Sequence, residues 1–396
     1  MRDPVLEKEV AITGIGQSAV TRGTDRWPID LTIDACMEAI ADAGLTRADI
    51  DGVATWPGGG SESSGFSPVG AGQLQDAMRL EVGWYNGTGE TSGQLGAMFN
   101  AIGAIVSGMA RHVLVFRTVY EAQARKVTPF ANAMARSNTR VEGAHAWYAP
   151  YFALAAASQQ ALYFARYMHE TGATDEQVAQ IALTGRRNAA LNPKAIYRDP
   201  LTMDDYLNSR WISTPLRLFD CDVPIDGSTA IVLSRRDLAL DLPNPIVRVE
   251  AVGSALRDRN SWASVRNLAT QATPSPAAMM WGRTDLKPAD VDIAELYDGF
   301  SFHSLAWLES FGFCERYEAP AFVEGGQRIA LDGELPINTS GGQLSAGRLH
   351  GYGQVHEACV QLWGRAGERQ VPNDPQVAVT STAGGPLAGC ILLVRE

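Results

Sequence analysis

The sequence predicts an α/β fold built from two related halves. Three observations carry this expectation: an apolar strand leading into a helix near the N-terminus, a small-residue helix followed by a buried strand, and a short internal echo. Val10–Ile15 (VAITGI) forms the first strand and runs into Gly16. The helix after it spans LTIDACMEAIADA, with Asp30 expected as N-cap and Gly44 as its stop. Thr91–Met109 (TSGQLGAMFNAIGAIVSGM) reads as a long helix, and HVLVF at His112–Phe116 as the strand that follows. The echo pairs Leu45–Val53, LTRADIDGV, with Leu286–Ala294, LKPADVDIA. A second correspondence keeps the same order, since Gly342–Trp363 followed by Val377–Thr380 mirrors the helix and strand at 91–116.

The expected division is therefore 1–245 for the first half and 246–396 for the second, which opens with IVRVEAVGSA. An insertion at about 119–215 interrupts the first half. It carries helical patterns in AASQQALYFARYMHE and TDEQVAQIALTGRRNAALN, and its size suits a lid or cap. Residues 57–72 are rich in Gly and Ser and are expected to form a surface loop.

Composition narrows the function. A chain of 396 residues exceeds what one core usually absorbs. With 33 Lys and Arg against 44 Asp and Glu, the net charge is −11, which argues against nucleic acid or an anionic membrane as partner. No apolar run reaches the roughly 18 residues of a membrane span, and the N-terminus lacks signal-peptide character. The 5 cysteines are odd in number and far apart, as expected for reduced thiols in a cytoplasmic protein. The 6 histidines show no metal-ligand spacing, so no metal and no separate cofactor is expected.

Gly14-x-Gly16-x-x-Ala19 mimics a dinucleotide fingerprint, but VTRGTDRWP follows where the helix would have to begin, so that site is excluded. Three other segments carry chemistry. Gly87–Gly93 (GTGETSG) opens the small-residue helix, where exposed N–H groups favour negative charge. Glu295–Ser301 (ELYDGFS) follows the second copy of the echo. Asn338–Glu357 (NTSGGQLSAGRLHGYGQVHE) is a Gly-rich turn opening a helix, with a tight TAGG turn at Thr382–Gly385 downstream.

Together with the duplication, these segments resemble the thiolase superfamily over nearly the whole chain, nearest the thiolases of sterol-carrier-protein-X type. There a helix N-terminus bears the nucleophile in C-S/A-x-G, a second loop reads H-D-C-F, and a third reads N-x-x-G-G followed by G-H-P-x-G. The resemblance implies a five-layer αβαβα sandwich with two mixed five-stranded sheets, and a homodimer. The departures are informative. Glu90 stands at the position of the nucleophilic cysteine, Tyr297 and Gly299 replace the histidine and cysteine of H-D-C-F, and Arg348 stands where the catalytic histidine would.

Thiolysis by the thiolase route needs an acyl-thioester on cysteine, which a carboxylate cannot form. The altered pattern resembles the steroid side-chain-cleaving aldolases of bacterial sterol catabolism, which implies Tyr297 and Tyr352 as catalytic residues. Retro-aldol cleavage of a β-hydroxyacyl-CoA needs a base for the hydroxyl, donors for the enolate oxygen and an acid for the carbanion. A tyrosine serves as base only with its pKa well below about 10, and Arg348 and His350 are expected to supply the field. Backbone amides at Gly384 and Gly385 are the expected enolate donors, with Asn338 as a further substrate-binding candidate. Asp298 and Glu295 are expected as hydrogen-bond partners, and His303 and His356 as orienting or core residues. Glu90 is open between proton transfer and capping.

The resemblance further implies a heteromeric complex on the homodimer, with an OB-fold acyl-CoA-binding-type partner that is often accompanied by a MaoC-like hydratase. Two alternatives remain: an acyl-CoA acyltransferase using another nucleophile, and a non-catalytic acyl-CoA or lipid-binding protein. Which tyrosine is base and which is acid is open at this level.

Overall fold

The computed structural model describes residues 5–58, 65–87, 91–127, 145–151, 153, 155–256, 267–269, 271–384 and 386–396. The first half contributes strands β1 (Val10–Gln17), β2 (Gly52–Thr55), β3 (Trp84–Asn86) and β4 (His112–Tyr120). A small hairpin follows, β5 (Trp211–Ser213) with β6 (Leu216–Arg217), and then β7 (Asp226–Arg235). The second half contributes β8 (Val247–Leu256), β9 (Ile293–Glu295), β10 (Val377–Gly384) and β11 (Leu387–Arg395). The main helices are α1 (Pro28–Asp42), α2 (Ala71–Met78), α3 (Gly96–Val106), α4 (Ala156–Thr171), α5 (Asp175–Ala190), α6 (Pro274–Trp281), α7 (Ser301–Phe311) and α8 (Tyr352–Leu362).

Among the described residues, the main sheet runs in the order β3-β2-β4-β7-β1-β8-β11-β10-β9. Its two sides repeat one pattern. β2 pairs parallel with β4, and β9 parallel with β10. β4 meets β7 antiparallel, as β10 meets β11, and β1 and β8 complete each side antiparallel. The place of β3 is taken in the second half by a single parallel bridge, Ala294 to Ile337. Pro336 before it has no N–H to donate, and Asn338 after it turns to φ +46, so the pairing cannot extend. A short contact, Ala11 to Arg248 and Ile12 to Val247, joins the two five-position sheets into one order.

The sequence echo is a structural repeat. Asp49 accepts the Thr46 N–H at 2.8 Å and leads into β2, while Asp290 accepts the Lys287 N–H at 2.7 Å and leads into β9. Strand alternation then sorts the layers. Val113, Val115, Ile231 and Leu233 share a core with Ala378, Ile391 and Leu393, filled by α3 and α8. The neighbouring Leu114, Phe116, Ala230 and Val232 face α1 and α2 instead. Val379, Ala388, Cys390 and Leu392 face the core of α6 and α7. The result is the five-layer αβαβα sandwich, with α3 and α8 as the central layer.

Gly14 and Gly16 serve packing. A Cβ on them would lie 2.2 Å from the Ala39 carbonyl oxygen and 2.1 Å from that of Ala35, so α1 rests directly on β1. Gly253 does the same on β8, 1.9 Å from the Pro276 oxygen of α6. Two expected helix starts shift. Trp27 is the N-cap of α1, and Asp30 lies at its third position, accepting the Trp27 N–H at 3.1 Å. The small-residue helix begins at Gly96, not Thr91, after a 3-10 turn at Gly93–Leu95, because Gly93 adopts φ +65.

The inserted helices α4 and α5 belong to the core of the second half. Phe164 stacks on Phe302 at 5.2 Å, and Tyr167 donates to Glu309 at 2.5 Å. Residues 59–64 of the Gly/Ser-rich stretch and 128–144 of the insertion lie outside the described residues.

Candidate active site

The second and third sequence segments meet at the ends of β9 and β10 and the start of α8, and Gly93 of the first lies beside them, where a Cβ would sit 2.9 Å from Ala383 Cβ. Asn338 accepts the Leu296 N–H on its side-chain oxygen at 2.7 Å, which ties the third segment to the second. Asp298 accepts from the N–H groups of Gln343 (2.9 Å) and Leu344 (3.3 Å) and from Gln354 Nε2 (3.1 Å). It therefore shapes the turn at 342–346 and anchors α8, while burial pushes its carboxyl up to about 6. Glu295 likewise accepts from Thr339, through N–H (3.0 Å) and Oγ1 (2.6 Å). Gly351 is left-handed at φ +82, and a Cβ there would lie 2.1 Å from Thr382 Cγ2, so α8 starts against the end of β10.

Tyr297 folds back over Gly299. A Cβ on Gly299 would sit 2.7 Å from Tyr297 Cε1 and 2.8 Å from its hydroxyl oxygen. The Tyr297 N–H donates to Ser381 Oγ at 3.0 Å, and Gln94 Nε2 donates to the phenol oxygen at 3.4 Å. Burial raises the phenol above its ordinary value and the Asp222 and Asp298 carboxylates add to the rise, while Gln343 and Gln94 oppose it. Gln94 also borders the start of α8, since its Cβ lies 3.8 Å from the Cβ position of Gly351.

Tyr352 is fully buried, and its hydroxyl meets no hydrogen-bond partner among the described residues. Burial raises its phenol, and the charge that opposes this is Arg117. Arg117, in β4, is 0% exposed. Its guanidinium donates to the Thr118 carbonyl at 3.1 Å and to His350 Nδ1 at 2.7 Å, and lies over the rings of Phe66 (4.6 Å) and Trp56 (5.4 Å). Because a guanidinium only donates, Nδ1 of His350 accepts and the imidazole is neutral. Burial with the charges of Arg348 and Arg117 holds it so.

The expected field from Arg348 and His350 is thus replaced by that of Arg117. Arg348 is engaged elsewhere, paired with Glu121 and, at 3.4 Å, with Asp222. His303 packs its ring 5.6 Å from that of Tyr297, and its Nε2 bonds Gln160 Oε1 at 3.0 Å. Burial brings it down to about 3, so it is neutral. Gly384 adjoins it: a Cβ would lie 2.8 Å from His303 Cδ2 and 2.5 Å from Gln271 Oε1. Glu90 and Gly385 lie outside the described residues.

Arg117 and Gln94 were not singled out from the sequence. The available signal was an arginine inside an otherwise apolar strand, HVLVFRTVY. Around the tyrosines, buried polar atoms meet no partner among the described residues: Gln94 Oε1, Arg117 Nε, His303 Nδ1, Thr382 Oγ1 and the Tyr352 hydroxyl. Such atoms seldom stay orphaned in native interiors, and a polar substrate would satisfy them. A cavity of about 270 Å³ borders the same region through Gln343 and Gln354. Among the described residues, no group of three His, Cys, Asp or Glu side chains is placed to hold a metal ion.

Residues 254–394 match the thiolase C-terminal domain-like family. The chain is 34% identical over 395 residues to a steroid side-chain-cleaving aldolase of Thermomonospora curvata, covering 98% of each. The chain belongs to the thiolase-like family of steroid side-chain-cleaving aldolases. A Mycobacterium tuberculosis relative, a 17-hydroxy-3-oxo-4-pregnene-20-carboxyl-CoA lyase, is 33% identical over 396 residues, covering 98% of this aldolase and 100% of the relative. The solved Ltp2-ChsH2(DUF35) aldolase matches with a TM-score of 0.86 at 29% identity, over 99% of both chains. This aldolase is accordingly a carbon–carbon lyase on a thiolase frame. No helix among its described residues is long and apolar enough to cross a membrane.

Proposed function

We propose that the enzyme cleaves the side chain of a 17-hydroxy steroid CoA thioester, giving a 17-keto steroid and propionyl-CoA. The observation that carries this reading is the pair of buried tyrosines, Tyr297 and Tyr352, grouped around one buried cation in a family of aldolases. The name of the M. tuberculosis relative supports the substrate class.

In the reaction, one tyrosine takes the C17 hydroxyl proton. The oxygen electrons form the ketone as the bond between C17 and the thioester α-carbon breaks. The bonding pair becomes the thioester enolate, and the other tyrosine returns a proton to the α-carbon. The end of β10 at Gly384 is the proposed enolate-binding turn, while Asn338, Asp298 and His303 hold the site in shape. No metal or separate cofactor enters this scheme. The acyltransferase alternative would need a nucleophile other than cysteine, since burial pushes all five thiols upward.

The working assembly on this reading is a cytoplasmic homodimer in a complex with an OB-fold partner, served by a MaoC-like hydratase that makes the hydroxyacyl-CoA. Support comes from the named Ltp2-ChsH2(DUF35) assembly and, for the compartment, from five free cysteines. The test is turnover of 17-hydroxy steroid CoA thioesters by the enzyme co-purified with its OB-fold partner. Release of ketone and propionyl-CoA is expected; release of ketone from no β-hydroxyacyl-CoA would overturn the reading.

A further inference from the structure

Two partly buried arginines of this protein are matched by carboxylates. Arg348 has Glu121 and Asp222, and Arg369 has Glu357 at 2.9 Å. Buried Arg186 instead donates to Ser345 Oγ and the Asp199 carbonyl, and Arg117 is buried still more deeply. It is completely buried, and among the described residues no carboxylate pairs with it. Its bonded and stacked neighbours are neutral at rest, a carbonyl, a neutral imidazole and two aromatic faces, and the phenols of Tyr352 and Tyr297 lie in its field. Its Nε meets no partner among the described residues. An unpaired buried charge is a standing penalty that folding alone does not explain. It makes sense where a counter-anion forms during the reaction.

We propose that Arg117 is the electrostatic partner of a Tyr352 phenolate, so that Tyr352 is the base and Tyr297 the acid. This rests on the retro-aldol reading and divides its two proton-transfer roles. The groups facing the pair are consistent with the division. Tyr352 has Arg117 as its facing charge, and Arg117 is faced by Tyr297, neutral His350 and the carboxylate-paired Arg348. Tyr297 instead faces the Asp222 and Asp298 carboxyls, which burial itself pushes upward and which, when ionised, resist loss of its proton. Burial acts on both phenols, so the difference lies in these neighbours. Arg117 acts through Tyr352 and is a positioning residue in this scheme.

Arg117→Met removes the charge at similar volume, a change that buried ion sites often tolerate. Arg117→Gln removes the charge but keeps a donor for His350, and serves if the Met variant does not fold. The complex of each variant with the OB-fold partner is compared with wild type for the pH profile of kcat/KM. The expected result is a loss of about 10- to 100-fold at neutral pH, with the ascending limb moved to higher pH. Arg117→Lys, which keeps the charge, restores the limb toward its wild-type position. A loss of rate with the limb unmoved would show a merely structural role and overturn the proposal.

Tyrosinate absorbance gives a second readout without turnover. The ionisation present in Tyr297→Phe and absent from Tyr352→Phe should move to higher pH in Tyr297→Phe carrying Arg117→Gln. No movement overturns the proposal. A protein that releases no ketone would sink the aldolase reading while leaving this titration measurable.

Discussion

The phenol of Tyr297 fills the volume that a side chain at residue 299 would need, with a Cβ there only 2.7 Å from Tyr297 Cε1. The tyrosine and the glycine of Y-D-G-F are therefore one change and not two. In the resembled thiolases a histidine and a cysteine stand at these positions, and a tyrosine with this conformation could not coexist with the cysteine. Gly299→Ala should displace the phenol and lower kcat by about 100-fold or more, while the fold and α7 persist by circular dichroism. Near-wild-type turnover in this variant would mean that the position of the phenol is unimportant.

Removing either hydroxyl tests the acid–base pair. Tyr297→Phe and Tyr352→Phe should each reduce kcat by about 10²- to 10⁴-fold, the usual contribution of a positioned acid or base. Binding of the CoA thioester, measured by calorimetry, should change little. The double variant should be barely slower than the worse single one, since both act in a single cleavage.

Asp298 makes stability depend on pH. Its folded value of about 6 lies above the ordinary 3.8, so the folded state holds this proton more tightly than the unfolded chain. The contribution is fully present below about pH 4 and is lost as pH rises through 6. Asp298→Asn keeps an acceptor oxygen for Gln343 and does not titrate. Relative to wild type, the variant should gain up to about 3 kcal/mol between pH 4 and pH 7 in urea unfolding. A constant difference across that range would count against a buried, uphill-ionising Asp298.

Gly384 lies against His303 and Gln271, where an added Cβ would approach to 2.8 and 2.5 Å. Gly384→Ala should lower the melting temperature, in keeping with overpacking penalties of about 1–3 kcal/mol. It should also depress kcat by moving the turn at the end of β10. Gly364→Ala makes a useful control, because among the described residues nothing lies within 4 Å of its Cβ position. That glycine has φ +66, so its modest effect should fall on stability alone.

Much of the frame was legible in the residues themselves. The echo at 45–53 and 286–294 exposed the duplication, because each copy needs the same aspartate-closed turn before its strand. The helices α4 and α5 were visible in their apolar spacing. Helix starts were less secure. Asp30 is a good capping residue in isolation, yet it closes the α1 terminus from inside the first turn, because Pro28 already occupies the first helical position.

The sequence by itself carried the α/β duplication, since periodicity and motif spacing are local along the chain, and its resemblance to the thiolase superfamily implied the lost nucleophile and the candidacy of Tyr297 and Tyr352. Only the tertiary structure decided which charge meets those tyrosines. Arg348 and His350 are near Tyr352 in sequence, but one is committed to Glu121 and Asp222, and the other accepts a hydrogen bond and is neutral. Arg117 arrives from a distant strand. A field depends on distance and burial in space, and neither quantity is written in sequence separation.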